Sequence, residues 1–241
     1  SLNSKKIKDL DVRLNEVYEK IPDTEGCLKY ISMPISEGGC GGRCCKFQNP
    51  QVLYSEFLHS LKNVLENWEN KDILFLIRRA LENYLSNSFN KSCIFWDRET
   101  KLCKQHEKRP FSCRYYTMIP EEEFRPRYEK LRLDVLNNYG GNGIVMEQCK
   151  LPEIKGKSPT KSDSDRWWKE LKEIEIKIGI KKEDIHDAFG GSYRQYHDHL
   201  LIYFFNEEIM TQLSEMRQHG NEEEKLNLMN VILNHIEKTL K

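Results

Sequence analysis

Eight cysteines are the residues of this chain whose chemical type and spacing could do chemistry. Three of them, Cys93, Cys103 and Cys113, follow one another at intervals of ten residues within CIFWDRETKLCKQHEKRPFSCRYY. The other five lie on either side of that stretch: Cys27, Cys40, Cys44, Cys45 and Cys149. A free cysteine packs as a small hydrophobe, but its thiolate is a soft ligand that selects zinc, copper(I) or iron–sulfur clusters. All eight cysteines are therefore candidate metal ligands.

Two alternatives to metal binding are disulfide bonds and scattered, unligated thiols. Eight cysteines could form four disulfides, but such a framework needs an oxidising compartment and is typical of small secreted domains. This chain has 241 residues, and its N-terminal stretch SLNSKKIKDLDVRLNEVYEK has no apolar core of a secretory signal. We therefore expect a cytoplasmic protein whose thiols hold a metal or a cluster.

The spacing of the cysteines bears on which metal they hold. Structural zinc sites usually show two close pairs such as CxxC, and this sequence contains no CxxC. Iron–sulfur clusters are commonly held by four thiolates, so widely spaced cysteines that converge from several loops fit a cluster at least as well as zinc. Eight thiols could serve two clusters, or one cluster and a second metal. Cys44 and Cys45 are neighbours whose side chains tend to diverge, so they are not assigned to one site.

Three histidines are weaker candidates. His106 follows Cys103 by three residues and could replace a thiolate, but a lone histidine is more often a hydrogen-bonding residue. His197 and His199 alternate with Asp198, a pattern that could bind metal but that favours an exposed polar helix face or a turn. No sequence motif of a hydrolase nucleophile or a phosphate-binding loop is present, so the catalytic residues, if any, are unknown.

Charge and hydropathy exclude two classes of partner. Lys and Arg total 38, as do Asp and Glu, so the chain has no general basic surface for nucleic acid. No apolar run approaches the roughly 20 residues that span a bilayer. With 38% hydrophobic residues the chain can still build a core.

Hydrophobic periodicity predicts a mainly α-helical fold with short hairpin and loop elements. CIFWDRETKLCKQH predicts a small hairpin around an Asp97–Lys101 turn, and YGGNGIVMEQC predicts a turn that presents Cys149. LLIYFF, at residues 200–205, could be a buried strand instead of a helix. Pro126 must lie in the first turn of the helix predicted at 121–138, or that helix starts later, because a proline further along lacks a needed N–H. The predicted helices are 5–21, 51–68, 72–86, 121–138, 165–178, 180–189, 192–218 and 222–240.

The cysteines divide the chain into two predicted domains. The segment 150–165 is polar and rich in Lys, Ser and Pro, which is typical of a linker, and no cysteine follows it. We therefore expect a Cys-rich metal- or cluster-binding domain at 1–156 and a C-terminal helical extension at 157–241. The extension is the candidate surface for a protein partner or protein substrate. Trp167 and Trp168 cannot both face inward, so one of them is expected to cover the Cys-rich domain.

GGCGGRCC followed by CIFWDRETKLCKQHEKRPFSCRYY resembles the YkgJ-type family, which is also described as a CxxCxxCC zinc- or iron-chelating domain. The resemblance covers residues 27–149. Ile94 stands where the family usually has proline, His106 where it has tyrosine, and Cys40 lies one residue further from the pair than expected, so ligands cannot be assigned one to one. The matching residues are Cys44, Cys45, Cys93, Phe95, Cys103, Arg109, Pro110, Cys113 and Arg114.

The resemblance implies metal binding, and most members of the family have no assigned reaction. Some are flagellin lysine-N-methylases, which implies an iron–sulfur cluster and S-adenosylmethionine. The expected function is a metalloprotein whose cysteines bind one or two iron–sulfur clusters of the [4Fe–4S] type, with a redox or catalytic role. Two alternatives stay open: a cluster- and S-adenosylmethionine-dependent protein lysine methyltransferase, and a structural zinc protein that acts as an interaction module.

Three arginines flank the thiols: Arg43, Arg109 and Arg114. They could cap backbone carbonyls, offset the charge of ligated thiolates, or hold a substrate carboxylate or phosphate. Charge compensation is the favoured interpretation, and Arg109 and Arg114 are the candidates for contact with a cofactor.

Overall fold

The computed structural model describes residues 4–22, 30, 33–149, 157–181 and 193–240. Within these ranges the chain is mostly helical, as the periodicity predicted. The helices are α1 (Ser4–Tyr18), α2 (Arg43–Phe47), α3 (Tyr54–Asn67), α4 (Asn70–Leu85), α5 (Phe111–Tyr115), α6 (Glu121–Tyr139), α7 (Lys161–Lys177), α8 (Tyr196–Phe204), α9 (Glu207–His219) and α10 (Glu222–Leu240).

The extended elements are short. Strands β1 (Gln51–Val52) and β2 (Arg194–Gln195) pair antiparallel, with Gln51 opposite Gln195 and Val52 opposite Arg194. A separate bridge joins Trp96 to Cys103 and forms the predicted hairpin. Three short 3₁₀-helices occupy residues 35–37, 106–108 and 116–118.

Helices α3 and α4 supply much of the hydrophobic core. On α4, buried Ile73, Leu76, Ile77, Ala80 and Leu81 recur at steps of three and four residues, which places them on one face. Helices α8 and α10 pack against α4, and α1 packs against α3 and α7. Truncating a fully buried aliphatic side chain such as Ile77 to alanine costs about 2–5 kcal/mol, so this helical core is what holds the loops between its helices in place.

Residues on both sides of position 156 contribute to a single buried cluster. Trp167, Leu171 and Ile174 of α7 lie in the same cluster as Leu14 of α1 and Leu61 of α3. Trp167 is the buried member of the tryptophan pair and contacts the rings of α5. The boundary between the two domains stays a prediction. No helix among the described residues is both long enough and apolar enough to cross a membrane.

Three local predictions differ from the structure. Pro126 lies in the second turn of α6, which begins at Glu121, so the helix tolerates one missing backbone hydrogen bond on an exposed surface. Helical spacing predicts an apolar side of α6 made of Phe124, Tyr128, Leu131, Val135 and Leu136. Only Phe124 and Val135 of this set are buried, and Leu136 is 61% exposed. The predicted helix 192–218 is broken at Asn206, whose side chain accepts a hydrogen bond from Ile209 N and begins α9.

The segment 200–205 belongs to α8 up to Phe204, so the strand alternative is wrong. The predicted helix at 180–189 lies largely outside the described residues.

Candidate metal centre

Five cysteine side chains from four separate segments line one cavity of about 160 Å³. The segments are α2, the loop after α4, the return strand of the hairpin, and α5. Aromatic side chains of Phe95, Tyr116 and Tyr196 complete its wall. The five cysteines are Cys44, Cys45, Cys93, Cys103 and Cys113.

A glycine allows α2 to approach the hairpin. Gly42 has a φ of 66°, and a Cβ atom there would lie 2.6 Å from Lys101 O and 2.7 Å from Trp96 Nε1. Any side chain would therefore clash with the hairpin and also strain the backbone. The close approach lets Cys93 N donate a hydrogen bond of 2.7 Å to Cys45 O, which joins two of the cysteine segments directly.

The hairpin presents Cys103 through backbone pairing. Asp97 N donates to Leu102 O and Lys104 N donates to Phe95 O, each at 2.9 Å. At the tip of the hairpin, Asp97 Oδ1 accepts hydrogen bonds from Glu99 N and Thr100 N, which stabilise the turn. The result is a two-stranded knuckle whose return strand aims Cys103 at the cavity.

A buried arginine holds the loop that carries Cys93. The guanidinium of Arg79, on α4, donates to Ile94 O at 3.2 Å, to Trp96 O, and to Ser92 Oγ at 2.8 Å. Its side chain is only 3% exposed. These bonds satisfy carbonyls that the irregular loop cannot pair for itself, so α4 fixes the position of Cys93.

A buried carboxylate performs the same role for α5. Glu56 Oε1 accepts hydrogen bonds from Phe111 N at 2.6 Å and from the Tyr18 hydroxyl at 2.8 Å. Glu56 Oε2 accepts from Leu53 N at 3.1 Å. Burial raises the pKa of Glu56, although these three donors act in the opposite direction. Because Phe111 begins α5, Glu56 sets where Cys113 enters the cavity.

The thiol pKa values diverge within the cavity. Burial raises the pKa of Cys93 to about 12 and that of Cys113 well above the ordinary thiol range. Contacts with the thiols of Cys103 and Cys44 raise the pKa of Cys45 well above that range. The same contacts lower the pKa of Cys44 to about 7 and lower that of Cys103. The Sγ atoms of Cys44 and Cys45 lie 3.9 Å apart, so the neighbouring thiols do meet at one cavity.

Arg109 and Arg114, which lie on either side of Cys113, have different roles. Arg109 lines the cavity, donates from Nε to His106 O at 2.9 Å, and its charge acts to lower the pKa of Cys103, Cys44 and Cys113. Arg114 instead donates to two backbone carbonyls and lies 4.4 Å over the Tyr18 ring. Arg109 is therefore placed to offset thiolate charge, while the hydrogen bonds of Arg114 hold the loop. Their contact with a cofactor stays a prediction.

The remaining cysteines lie elsewhere. Cys40 and Cys149 line a second cavity of about 470 Å³, which Cys44 also lines. Cys27 lies outside the described residues. None of the seven cysteines that the structure describes forms a disulfide bond. The structure thus separates the five cavity cysteines from Cys40 and Cys149, a division that the spacing did not show.

The histidine predictions have different outcomes. His106 lines the five-thiol cavity. His197 and His199 are both buried, so the prediction of an exposed polar face is wrong. His197 Nδ1 lies 2.5 Å from Asn49 Nδ2, and His199 Nε2 lies 3.1 Å from Val52 O. These two histidines tie α8 to the segment around β1.

The donor set of the cavity fits a soft metal centre. Five thiols converge there, and Gln105, a buried residue of the cavity lining, has an Nε2 atom without a hydrogen-bond partner. An unpaired buried N–H donor fits an anionic acceptor such as a thiolate-bound centre. In the described part of the chain, no three His, Cys, Asp or Glu side chains are arranged to hold a single metal ion.

Sequence reasoning missed the side chains that support the thiols: Glu56, Arg79, Gln105 and Tyr196. Glu56 and Arg79 stand among apolar neighbours on α3 and α4, where the periodicity marks only the core. Their sole signal is a charged residue at a position that the helical pattern places near the buried face.

Comparison with known proteins agrees with the geometry. The family model described as "CxxCxxCC: Putative zinc- or iron-chelating domain" matches residues 37–132, which is less than half of the chain. No curated protein and no solved structure was found to match. The matched range contains all five cavity cysteines and Cys40, but not Cys149. The resemblance seen in the motif is thereby confirmed, since residues 37–132 match the family model of a CxxCxxCC zinc- or iron-chelating domain.

Proposed function

We propose that the five-thiol cavity holds one iron–sulfur cluster of the [4Fe–4S] type, and that this cluster gives the protein a redox or catalytic role. The observation that carries the proposal is the convergence of five thiols, from four separate segments, on one cavity. Four cysteine thiolates are the usual ligand set of such a cluster. The family's description as zinc- or iron-chelating supports metal binding in general.

Cys45, Cys93, Cys103 and Cys113 are the proposed ligands. Cys45 is the choice from the neighbouring pair because its thiol contacts that of Cys103. Cys44 lines both cavities and therefore lies at the edge of the five-thiol cavity. In this assignment Cys44 is a fifth thiol beside the cluster.

Two features favour a cluster over a single zinc ion. A structural zinc ion is closed by four donors, whereas five thiols line this cavity. The unpaired Gln105 Nε2 also supplies an N–H donor for the sulfurs of a cluster.

The residues around the cavity would tune the proposed centre. An iron–sulfur cluster supplies one-electron transfer, and its potential depends on net charge, hydrogen bonds to sulfur and solvent exposure. Gln105 would donate a hydrogen bond, and Arg109 would offset negative charge. Tyr196 is 1% exposed and donates or accepts a hydrogen bond of 2.9 Å with Ser60 Oγ, so its ring is a fixed wall against water.

The test is metal and acid-labile sulfide content, with an absorption spectrum, on protein purified without oxygen. The proposal predicts about four iron and four sulfide per chain and broad visible absorption. Colourless protein with one zinc and no sulfide would refute it and leave the structural zinc alternative. Adding S-adenosylmethionine tests the methyltransferase alternative, since that activity requires the compound to perturb the cluster spectrum.

Cysteine variants test the ligand assignment. Cys103→Ser and Cys113→Ser are expected to lose iron and to destabilise the fold, because ligand binding energy contributes to folding. Cys149→Ser is the matched control, since Cys149 lines only the second cavity, and it should keep its iron. Full iron occupancy in both Cys103→Ser and Cys113→Ser would contradict the ligand assignment.

A further inference from the structure

The second cavity adjoins the five-thiol cavity. Cys44, Tyr116 and Thr117 line both, so the two cavities share a wall. The volume of the second cavity, about 470 Å³, falls within the range of small-molecule binding sites. A ligand there would lie beside the proposed metal centre.

One wall of the second cavity is the extended segment 144–149, which side chains from elsewhere hold in place. Asn90 Oδ1 accepts from Ile144 N at 2.7 Å, and Asn90 Nδ2 donates to Ile144 O at 2.8 Å. The Tyr116 hydroxyl donates to Glu147 O at 3.1 Å, and Gln148 Nε2 donates to Ile119 O at 2.6 Å. The segment is therefore anchored at both ends.

Two polar groups of this cavity lack partners. Arg43 lines it with an exposed guanidinium that forms no ion pair or hydrogen bond with the described residues. The Thr117 Oγ1 atom is buried and has no hydrogen-bond partner. Of these two groups, the exposed Arg43 cation is the one that a polar ligand in this cavity would reach and satisfy.

The charges select the class of ligand. Glu147 is exposed and lines the same cavity, so one cation and one anion face it. That balance disfavours a dianionic phosphate and favours a singly charged carboxylate, which matches the planar fork of a guanidinium. Aromatic rings of Tyr116 and Tyr128, both against Phe124, supply flat apolar surface beside it.

We infer that this cavity binds a small aromatic carboxylate, with Arg43 pairing with the carboxylate group and the tyrosine rings contacting the ligand body. The position beside the metal centre rests on the proposed function, whereas the binding itself depends only on the second cavity. Thr117, which lines both cavities, is the residue through which a bound carboxylate would be sensed at the metal centre.

The test uses benzoate as the probe, with neutral benzamide and dianionic phenyl phosphate as comparisons. Ligand-observed NMR on the full chain as purified measures each affinity. Benzoate should bind at least tenfold more tightly than either comparison, and Arg43→Gln should weaken benzoate binding about tenfold. Arg13→Gln, which removes an exposed arginine of α1 that lines neither cavity, should leave it unchanged.

The outcomes separate this inference from the proposed function. Benzoate binding that does not depend on Arg43, or benzamide binding as tightly, would overturn the inference even in iron-loaded protein. Arg43-dependent benzoate binding to a chain without iron would support the cavity assignment while the cluster proposal falls. With iron present, a benzoate-induced change in the absorption spectrum that Thr117→Val diminishes would support the position beside the centre.

Discussion

Arg79 offers the sharpest test of how the fold positions the metal centre. Its guanidinium, on α4, bonds to the carbonyls of Ile94 and Trp96 and to Ser92 Oγ, and these residues flank Cys93. Arg79→Met keeps the length and the apolar stem of the side chain but removes every donor. The variant should therefore loosen the Cys93 loop without opening a large cavity in the core.

The magnitude follows from the groups left without partners. Ile94 O and Trp96 O accept no other hydrogen bond from the described backbone, and each unsatisfied buried carbonyl costs about 1–3 kcal/mol. The Ser92 hydroxyl is half-buried and can turn toward water. Removing a buried charge offsets part of the loss, because burial already lowers the pKa of Arg79. We expect a net loss of about 3 kcal/mol in the free energy of unfolding.

Urea unfolding followed by circular dichroism measures this loss on metal-loaded protein. The neighbouring Arg78→Met is the matched control, since Arg78 is half-buried on the same helix and forms no hydrogen bond or ion pair with the described residues. The control should change stability by less than about 0.5 kcal/mol. Arg79→Met within about 1 kcal/mol of the control, with undiminished metal content, would refute the role assigned to Arg79.

Three further predictions concern the same scaffold. Gly42→Ala should destabilise the protein by at least about 1 kcal/mol more than Gly141→Ala in urea unfolding, because both have positive φ but only Gly42 meets neighbouring atoms; equal losses would contradict the close approach. Glu56→Gln should lower the free energy of unfolding by about 1–3 kcal/mol, since the new amide NH₂ would face the Leu53 N–H, whereas exposed Glu66→Gln should lower it little. Equal losses in the two variants would contradict the role assigned to Glu56. Burial, aided by nearby positive charges, lowers the pKa of His197 to about 3, so its contribution is complete above pH 6.5 and is lost as pH falls. The free energy of unfolding should therefore fall by about 2 kcal/mol between pH 7 and pH 5 because of His197. His197→Gln should abolish this part of the pH dependence when unfolding is measured at each pH.

The helical scaffold could be predicted because its signal is local. Apolar residues at steps of three and four mark α3 and α4, and the buried faces agree with that pattern. Errors arose where a local feature competes with periodicity, such as the side-chain cap of Asn206 or the unburied side of α6. The hairpin that carries Cys103 could likewise be predicted, because its turn and its two short extended segments lie within about a dozen residues of sequence.

The grouping of the cysteines could not be predicted, because it depends on contacts distant in sequence. Equal spacing of Cys93, Cys103 and Cys113 says nothing about Cys44 and Cys45, which reach them only through the approach at Gly42. The separate placement of Cys40 and Cys149 follows from the segment 144–149 and its anchors. The domain boundary and a protein partner of the C-terminal helices stay predictions.

The thiols sit on elements too short to be stable alone, and that explains the buried charges around them. Helices α2 and α5 have five residues each, and the hairpin has a single bridge. Isolated helices of that length do not form in water, so the positions of Cys45 and Cys113 must come from tertiary contacts. Glu56 and Arg79 supply these contacts from the long helices α3 and α4, because a buried ionised group bonds several backbone groups at once. A metal bound by four such segments would add a further link between them, and for this reason metal content and stability should fall together in variants of either residue.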